Sequence, residues 1–343
     1  MKRIETQAVV MRGAGGPEVL VQAPVDLPWN PEGADVLVRL AAASINPADL
    51  YFRGYGPYLG AAEGCVLGHD GAGIVQAVGA RAKGFAVGDR VAFCNGGVGG
   101  DAGTYAHHAV VPDRLLARVP DGVPLEDAAA IALVFITGWE SLKERARVRR
   151  GEAVLIHGGA GGTGHVAIQI ARELGARVAA TVSSAEKAAV AEALGSERTI
   201  RYREQDFVTA ARDWTRGRGV AVVLDNAGEQ VFRDSLRALA PYGRLVTLMG
   251  MPADLADGTA YNNNLTVHNV MMLTPMWKGL QAHRRRQAKV LQLALDWLDS
   301  GRIKVRIQHR FPLSEAAAAH ALLEREGGTG KIVLAMPQDA GEI

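Results

Sequence analysis

Two cysteines, Cys65 and Cys94, are all that 343 residues contain. They are too few for a disulfide framework or for a four-cysteine zinc lobe, and they read as free thiols of a reducing compartment. Charge of one sign is lacking as well, since 38 Lys plus Arg stand against 36 Asp plus Glu for a formal balance of +2. No broad basic field is left to track a phosphate backbone, so nucleic acid is not an expected partner. Long apolar runs are missing too. The longest uncharged stretch, Ala153 to Ala171, is interrupted by Gly158, Gly159, Gly161, Gly162 and Gly164 and carries His157, Thr163, His165 and Gln169. It reads as a loop between two elements, not as a membrane span. Met1-Lys2-Arg3 is followed by Ile4-Glu5-Thr6-Gln7-Ala8, with no apolar core of the kind a signal peptide needs, so a cytoplasmic protein is expected.

What is present is ordinary globular material, 48% apolar and 22% charged, in a length that suits about two domains. The first third reads as all-β: short runs such as Asp35 to Leu40 and Gly73 to Val78 are separated by Gly, Pro and Asp turns. From Val154 the pattern changes to strands alternating with helices, the sequence form of a parallel sheet built from βαβ units. Strands are expected at 153–157, 177–182, 220–225 and 243–248, with helices near 165–174, 185–194 and 231–239. A fifth apolar run spans Leu265 to Leu273; then come a helix from Gln281 to Leu298, closed by Ser300-Gly301, and a last strand at Lys331 to Leu334.

Gly159-Ala160-Gly161-Gly162-Thr163-Gly164 satisfies G-x-G-x-x-G between the first of these strands and its helix. In that context the pattern is a dinucleotide-binding turn: glycine lets a pyrophosphate approach the backbone N–H groups, and the helix N-terminus supplies partial positive charge. A site for NAD places an acid at the end of the second strand, on the ribose hydroxyls. Here that end is Thr181-Val182-Ser183-Ser184, with Lys187 one turn further on. Hydroxyls and a cation suit a 2′-phosphate, which a carboxylate would repel, so NADPH is the expected cofactor; the serines can also cap the helix.

Further segments, in order, are Ser44-Ile45-Asn46-Pro47-Ala48-Asp49-Leu50-Tyr51, Leu67-Gly68-His69-Asp70-Gly71-Ala72-Gly73, Phe85 to Val91, Leu133 to Trp139 with Thr137-Gly138-Trp139, Ile200 to Glu204, Leu224 to Gly228, and Gly330-Lys331-Ile332-Val333. With the glycine turn, they resemble the medium-chain dehydrogenase/reductase superfamily, and within it the zinc-independent quinone oxidoreductase (zeta-crystallin-like) branch. The resemblance implies an α/β protein in which a Rossmann-type doubly wound parallel sheet, residues 127–270, is inserted into a β-rich GroES-like catalytic domain, residues 1–126 and 271–343. It also implies a cofactor cleft and a homodimer joined through the run Leu265 to Leu273. At the places where zinc-dependent relatives carry Cys, His and Cys, this chain has Asn46, His69 and Leu133. No metal is therefore expected, and His69, with Cys65 four residues before it, reads as a histidine hydrogen-bonded in a turn.

A site without metal suits acceptors that spread developing charge over a conjugated oxygen, such as quinones or α,β-unsaturated carbonyls, for which hydrogen-bond donors suffice. The resemblance implies catalytic roles for Asn46 and Tyr51, and it sets Thr137 near the nicotinamide, Tyr202 beside the adenosine phosphate, and Asn226 and Gly250 along the cofactor. His107-His108 and Arg284-Arg285-Arg286 read as solvated or paired surface. Two alternatives stay open: a reductase of another activated alkene such as an enoyl thioester, and a non-catalytic structural or RNA-binding protein stabilised by its dinucleotide.

Overall fold

Alternation of buried and exposed residues shapes the N-terminal strands: Ile4, Thr6 and Ala8 point inward along β1 (Lys2–Met11), which pairs along its length with antiparallel β2 (Leu20–Trp29). The computed structural model describes residues 1–55, 64–97, 101–253 and 258–337. β3 (Asp35–Ile45), α1 (Pro47–Tyr55), β4 (Cys65–Val66), β5 (Asp70–Val78), β6 (Arg90–Cys94), β7 (His108–Pro112) and β8 (Ala117–Arg118) follow. The expectation of an all-β first third therefore needs correction at α1. Asn46-Pro47-Ala48-Asp49 is a helix start: Pro47 takes the first helical position, and the Asp49 carboxylate accepts the backbone N–H of Asn46 at 2.8 Å.

α2 (Leu125–Trp139), buried from Ala128 to Ile136 and continued by a π-type turn over Glu140–Arg145, leads into the strand–helix alternation. That alternation runs β9 (Ala153–Ile156), α3 (Gly162–Glu173), β10 (Arg177–Val182), α4 (Ala185–Ala193), β11 (Arg198–Arg201), α5 (Phe207–Trp214), β12 (Val220–Asp225), α6 (Glu229–Ala238), β13 (Leu239–Thr247), α7 (Thr259–Asn262) and β14 (Thr266–Asn269). All neighbours are parallel, in the order β11-β10-β9-β12-β13-β14. Counted from β9 this is 3-2-1-4-5-6, the order of a doubly wound Rossmann sheet, with its topological switch between β9 and β12. Val154, Leu155 and Ile156 are fully buried, which is why β9 reads as an unbroken apolar run.

α8 (Thr274–Trp277), α9 (Gln281–Asp299), β15 (Ile307–Pro312), α10 (Ala316–Glu326) and β16 (Lys331–Ala335) close the chain. β16 returns to the N-terminal sheet and lies antiparallel on β3, Ile332 opposite Ile45 and Ala335 opposite Ala42, in the order β15-β16-β3-β5-β6-β8. The chain thus forms two compact units, Met1–Leu133 with Leu273–Ile343, and Val134–Met272. No helix among the described residues is long and apolar enough to cross a membrane. His108 departs from the surface reading, since it is buried with Nδ1 2.9 Å from the Thr6 hydroxyl. Arg284 is half-buried and donates to the Asn95 side chain.

Candidate functional site

Residues 157–161 turn the chain from the carboxyl end of β9 into α3. Gly158 is the pivot, at φ +62°. Its N–H reaches Thr181 Oγ1 at 3.2 Å, and its carbonyl accepts from Gly161 at 2.9 Å. A Cβ on Gly164 would lie 2.1 Å from that carbonyl oxygen, and one on Gly159 would lie 2.5 Å from Ala180 Cβ. These two glycines close the helix onto the strand; a side chain at either would pry the turn open. Gly161 stands at the N-cap, so no side chain caps α3. Gly162 and Thr163 begin the helix beside it, with Ala160 buried in the turn. Uncapped N–H groups carrying the positive end of a helix dipole are what an anionic pyrophosphate requires.

Asn226 follows β12 across the switch point. Its Nδ2 donates to His157 O at 2.8 Å, while its Oδ1 is buried without a hydrogen-bond partner among the described residues. A buried acceptor left open is unusual, and beside this turn it suits a ligand hydroxyl or amide. β10 ends at Val182; Ser184 caps α4 by accepting the Lys187 N–H at 3.3 Å, and Ser183 is half-buried. The backbone of half-exposed Tyr202 is tied to Val182 O at 3.2 Å, which brings these four residues to one end of the sheet. Thr137 is buried on α2, where Gly138 allows close approach to α3: a Cβ there would meet Ile170 Cδ1 at 3.0 Å. Gly250, at φ +85°, is exposed in the segment after β13. The residues present fit a dinucleotide.

The other unit holds a buried polar cluster at the joint of β3 and α1. Asn46 is 1% exposed: its Nδ2 donates to Asp70 Oδ2 at 2.8 Å, and its Oδ1 accepts from the Lys331 ammonium. Asp70 also accepts from Ser44 Oγ at 2.7 Å and from the Leu133 N–H at 2.9 Å, and Lys331 Nζ stands 3.8 Å away while donating to Ile45 O. Burial pushes the Asp70 carboxyl up and the Lys331 ammonium down from their ordinary ranges, each opposed by the other's charge. For Asp49, burial would raise the pKa, but the charge and hydrogen bond of His69, with Nδ1 2.8 Å away, hold it below the usual carboxylate range. His69 stacks on Phe52, with ring centroids 5.7 Å apart, and is fully buried. Tyr51 is 57% exposed on α1 with its ring 4.3 Å from that of Tyr55.

Asn46 and Tyr51, read together from the sequence, thus stand in opposite environments. Sequence reasoning assigned no part to Asp49, Asp70 and Lys331. The available signal was a carboxylate within the glycine-rich apolar strand β5 and a lysine opening the apolar strand β16. For a metal the donor set is unsuitable: Leu133 brings only hydrocarbon, the Asn46 amide is committed on both atoms, and the Lys331 cation already occupies the cluster. Among the described residues no group of three or more His, Cys, Asp or Glu is placed to hold a metal ion.

Two family descriptions match the chain: an alcohol dehydrogenase GroES-like domain over residues 32–121, and a zinc-binding dehydrogenase over residues 194–334. A quinone oxidoreductase of Pseudomonas aeruginosa is 35% identical over 93% of this chain and 96% of its own length. A 2-haloacrylate reductase of a Burkholderia species is 33% identical over 96% of this chain and 99% of its own. Among solved structures, the quinone oxidoreductase of Pseudomonas syringae pv. Tomato DC3000 superposes with a TM-score of 0.82 at 34% identity, covering 96% of this chain and 99% of that one.

Proposed function

Because the chain belongs to the medium-chain dehydrogenase/reductase superfamily and is an oxidoreductase of that family, we propose that it is an NADPH-dependent reductase of quinones or α,β-unsaturated carbonyls that works without zinc. The observation that carries the reading is the uncapped glycine turn beside a second strand that ends in Ser183 and Ser184 with Lys187 following, where an acid would stand for NAD. When bound, NADPH supplies hydride. The chain's own residues do the rest: the N–H groups at the start of α3 bind the pyrophosphate, Ser183, Ser184, Lys187 and Tyr202 take the adenosine phosphate, and Asn226, Thr137 and Gly250 line the remainder.

In the other unit, the buried Asn46 holds the β3–α1 joint rigid through Asp70 and Lys331, and the exposed Tyr51 meets the acceptor. With neutral donors, the acceptor must carry its own conjugation to absorb charge, which favours quinones and enones over plain ketones. A related reading, another activated alkene as acceptor, is supported by the likeness to the 2-haloacrylate reductase. The protein is also proposed to be cytoplasmic and a homodimer paired along β14.

The test is steady-state oxidation of NADPH and NADH against quinones, enones, acrylates, plain ketones and, in reverse, simple alcohols, with and without a chelator. Turnover with quinones or enones, NADPH preferred and chelator without effect, is expected. Faster oxidation of simple alcohols than reduction of any quinone, enone or acrylate would refute the acceptor class, and loss of activity with chelator would refute the zinc-free site.

A further inference from the structure

Beneath the glycine turn lies a titratable side chain to which the proposed function gives no part. His157 is 2% exposed, with its ring edge-on to Phe207 at 4.7 Å. Nδ1 lies 3.0 Å from Thr181 Oγ1 and Nε2 lies 2.9 Å from Ser235 Oγ. The direction of every proton along this chain follows from its two ends. Ser235 Oγ is 2.6 Å from Val231 O, and a carbonyl only accepts, so Ser235 donates there and accepts from Nε2–H. Thr181 Oγ1 accepts the backbone N–H of Gly158 and gives its own proton to Nδ1. The ring is the neutral tautomer protonated on Nε2. Burial, which holds its pKa down at about 4, favours the same state; Asp225 of β12 pulls the other way, with its carboxylate engaged by the N–H groups of Ala227 and Gly228 and the Thr247 hydroxyl.

The main chain of His157 is fixed as well, its N–H on Leu224 O at 3.0 Å and its carbonyl under Asn226 Nδ2. We infer that His157 is a positioning residue for the dinucleotide: it locks the Thr181 hydroxyl as an acceptor for Gly158 N–H and so sets the left-handed pivot on which Gly161 and Gly164 close. The inference rests on the reading of this turn as a dinucleotide site. A hydroxyl left free to rotate presents its proton to Gly158 part of the time, and the N–H groups at the start of α3 lose their aim. The pyrophosphate is common to NADH and NADPH, so this residue governs affinity for both alike.

The test uses the purified full chain, its His157→Phe, Thr181→Val and double variants, and His157→Asn, whose Oδ1 can accept the Thr181 proton where Nδ1 did. NADPH and NADH affinities are read by fluorescence titration, folding by thermal melting, and the imidazole by 15N NMR at neutral pH. Each single removal should weaken both dinucleotides by roughly five- to tenfold, the size of one lost neutral hydrogen bond. The double variant should lose little more than the larger single one, because both act on one chain of bonds. His157→Asn should recover most of the affinity, and the spectrum should show Nε2 protonated and Nδ1 bare. If His157→Phe does not fold, Thr181→Val, a hydroxyl exchanged for a methyl, still reads the same bond. Unaltered affinities with lowered melting, multiplying losses, or a protonated Nδ1 would overturn the inference alone. A wild-type chain that binds neither dinucleotide would overturn the proposed function and this inference with it.

Discussion

Lys187 enters α4 one turn behind Ser184, which it helps to cap through its backbone N–H, and its ammonium is the cation proposed to hold the 2′-phosphate. One charge-assisted contact contributes about 1.5 to 3 kcal/mol. Lys187→Ala should therefore weaken NADPH roughly ten- to a hundredfold and leave NADH unchanged in parallel titrations; equal losses for both would assign Lys187 to the fold alone. Asn46 calls for a different experiment. Its amide joins Asp70 to Lys331 inside the cluster, so Asn46→Ala takes one hydrogen bond from each of two buried charges, which keep their remaining partners Ser44, Leu133 N–H and Ile45 O. The expected cost is about 2 to 3 kcal/mol of unfolding free energy in urea, with the Michaelis constant for NADPH unmoved. Intact stability with collapsed turnover would put Asn46 back in contact with the reactants. The resemblance makes candidates of both Asn46 and Tyr51, because a matched motif does not say that one of them will face a buried lysine brought from the far end of the chain.

At the scale of elements, the turn into α3 gives the sharpest test. Gly164 has no room for a methyl, since the group in the way is the Gly158 carbonyl, part of the backbone and of the pivot itself. Gly164→Ala should open the turn and reduce affinity for NADH and NADPH alike by at least about tenfold, read by titration. Undiminished binding would remove the turn from the site. Elements buried on both faces were legible beforehand: β10 and β12 are apolar runs whose ends in the structure, Arg177–Val182 and Val220–Asp225, are those read from the sequence. β11 and α5 were not legible. Arg198-Thr199-Ile200-Arg201 offers one fully buried residue, Ile200, and is a strand because β10 lies beside it to supply the hydrogen bonds. α1 was hidden for another reason: a helix start of Asn-Pro-x-Asp was outweighed by the Gly and Pro turns on either side. The apolar run Leu265 to Leu273 yields a strand of only four residues, Thr266–Asn269, where it meets β13.

For the whole molecule, that short strand bears on assembly. β14 is an edge of the six-stranded sheet, and an open edge pairs readily with a second copy about a two-fold axis. Light scattering should give twice the 36.3 kDa chain mass, and a monomer mass across micromolar concentrations would defeat the dimer. Stability against acid tests the buried interior of both units. Burial holds three histidines, His108, His157 and His320, down at about 4, where an unfolded chain takes up the proton near 6.5. Between those limits the unfolded state binds more protons, so stability is full above the upper one and falls as pH drops toward the lower. A shift of this size represents up to about 3 kcal/mol per histidine once pH has fallen to the lower limit, acting through His108 and His320 in one unit and His157 in the other. Asp70, whose carboxyl is raised, works in the opposite direction as it takes up its proton, and Asp49, whose carboxyl is lowered, adds to the loss only below this window. Urea midpoints measured from pH 7.5 downward should hold steady to about 6.5 and then fall as pH drops toward 4. His108→Gln, which removes one of the three protonations, should flatten that fall by about a third. Midpoints unchanged down to pH 4 would mean that these histidines gain protons in the folded chain as readily as in the unfolded one, and the neutral tautomer assigned to His157 would lose its support from burial.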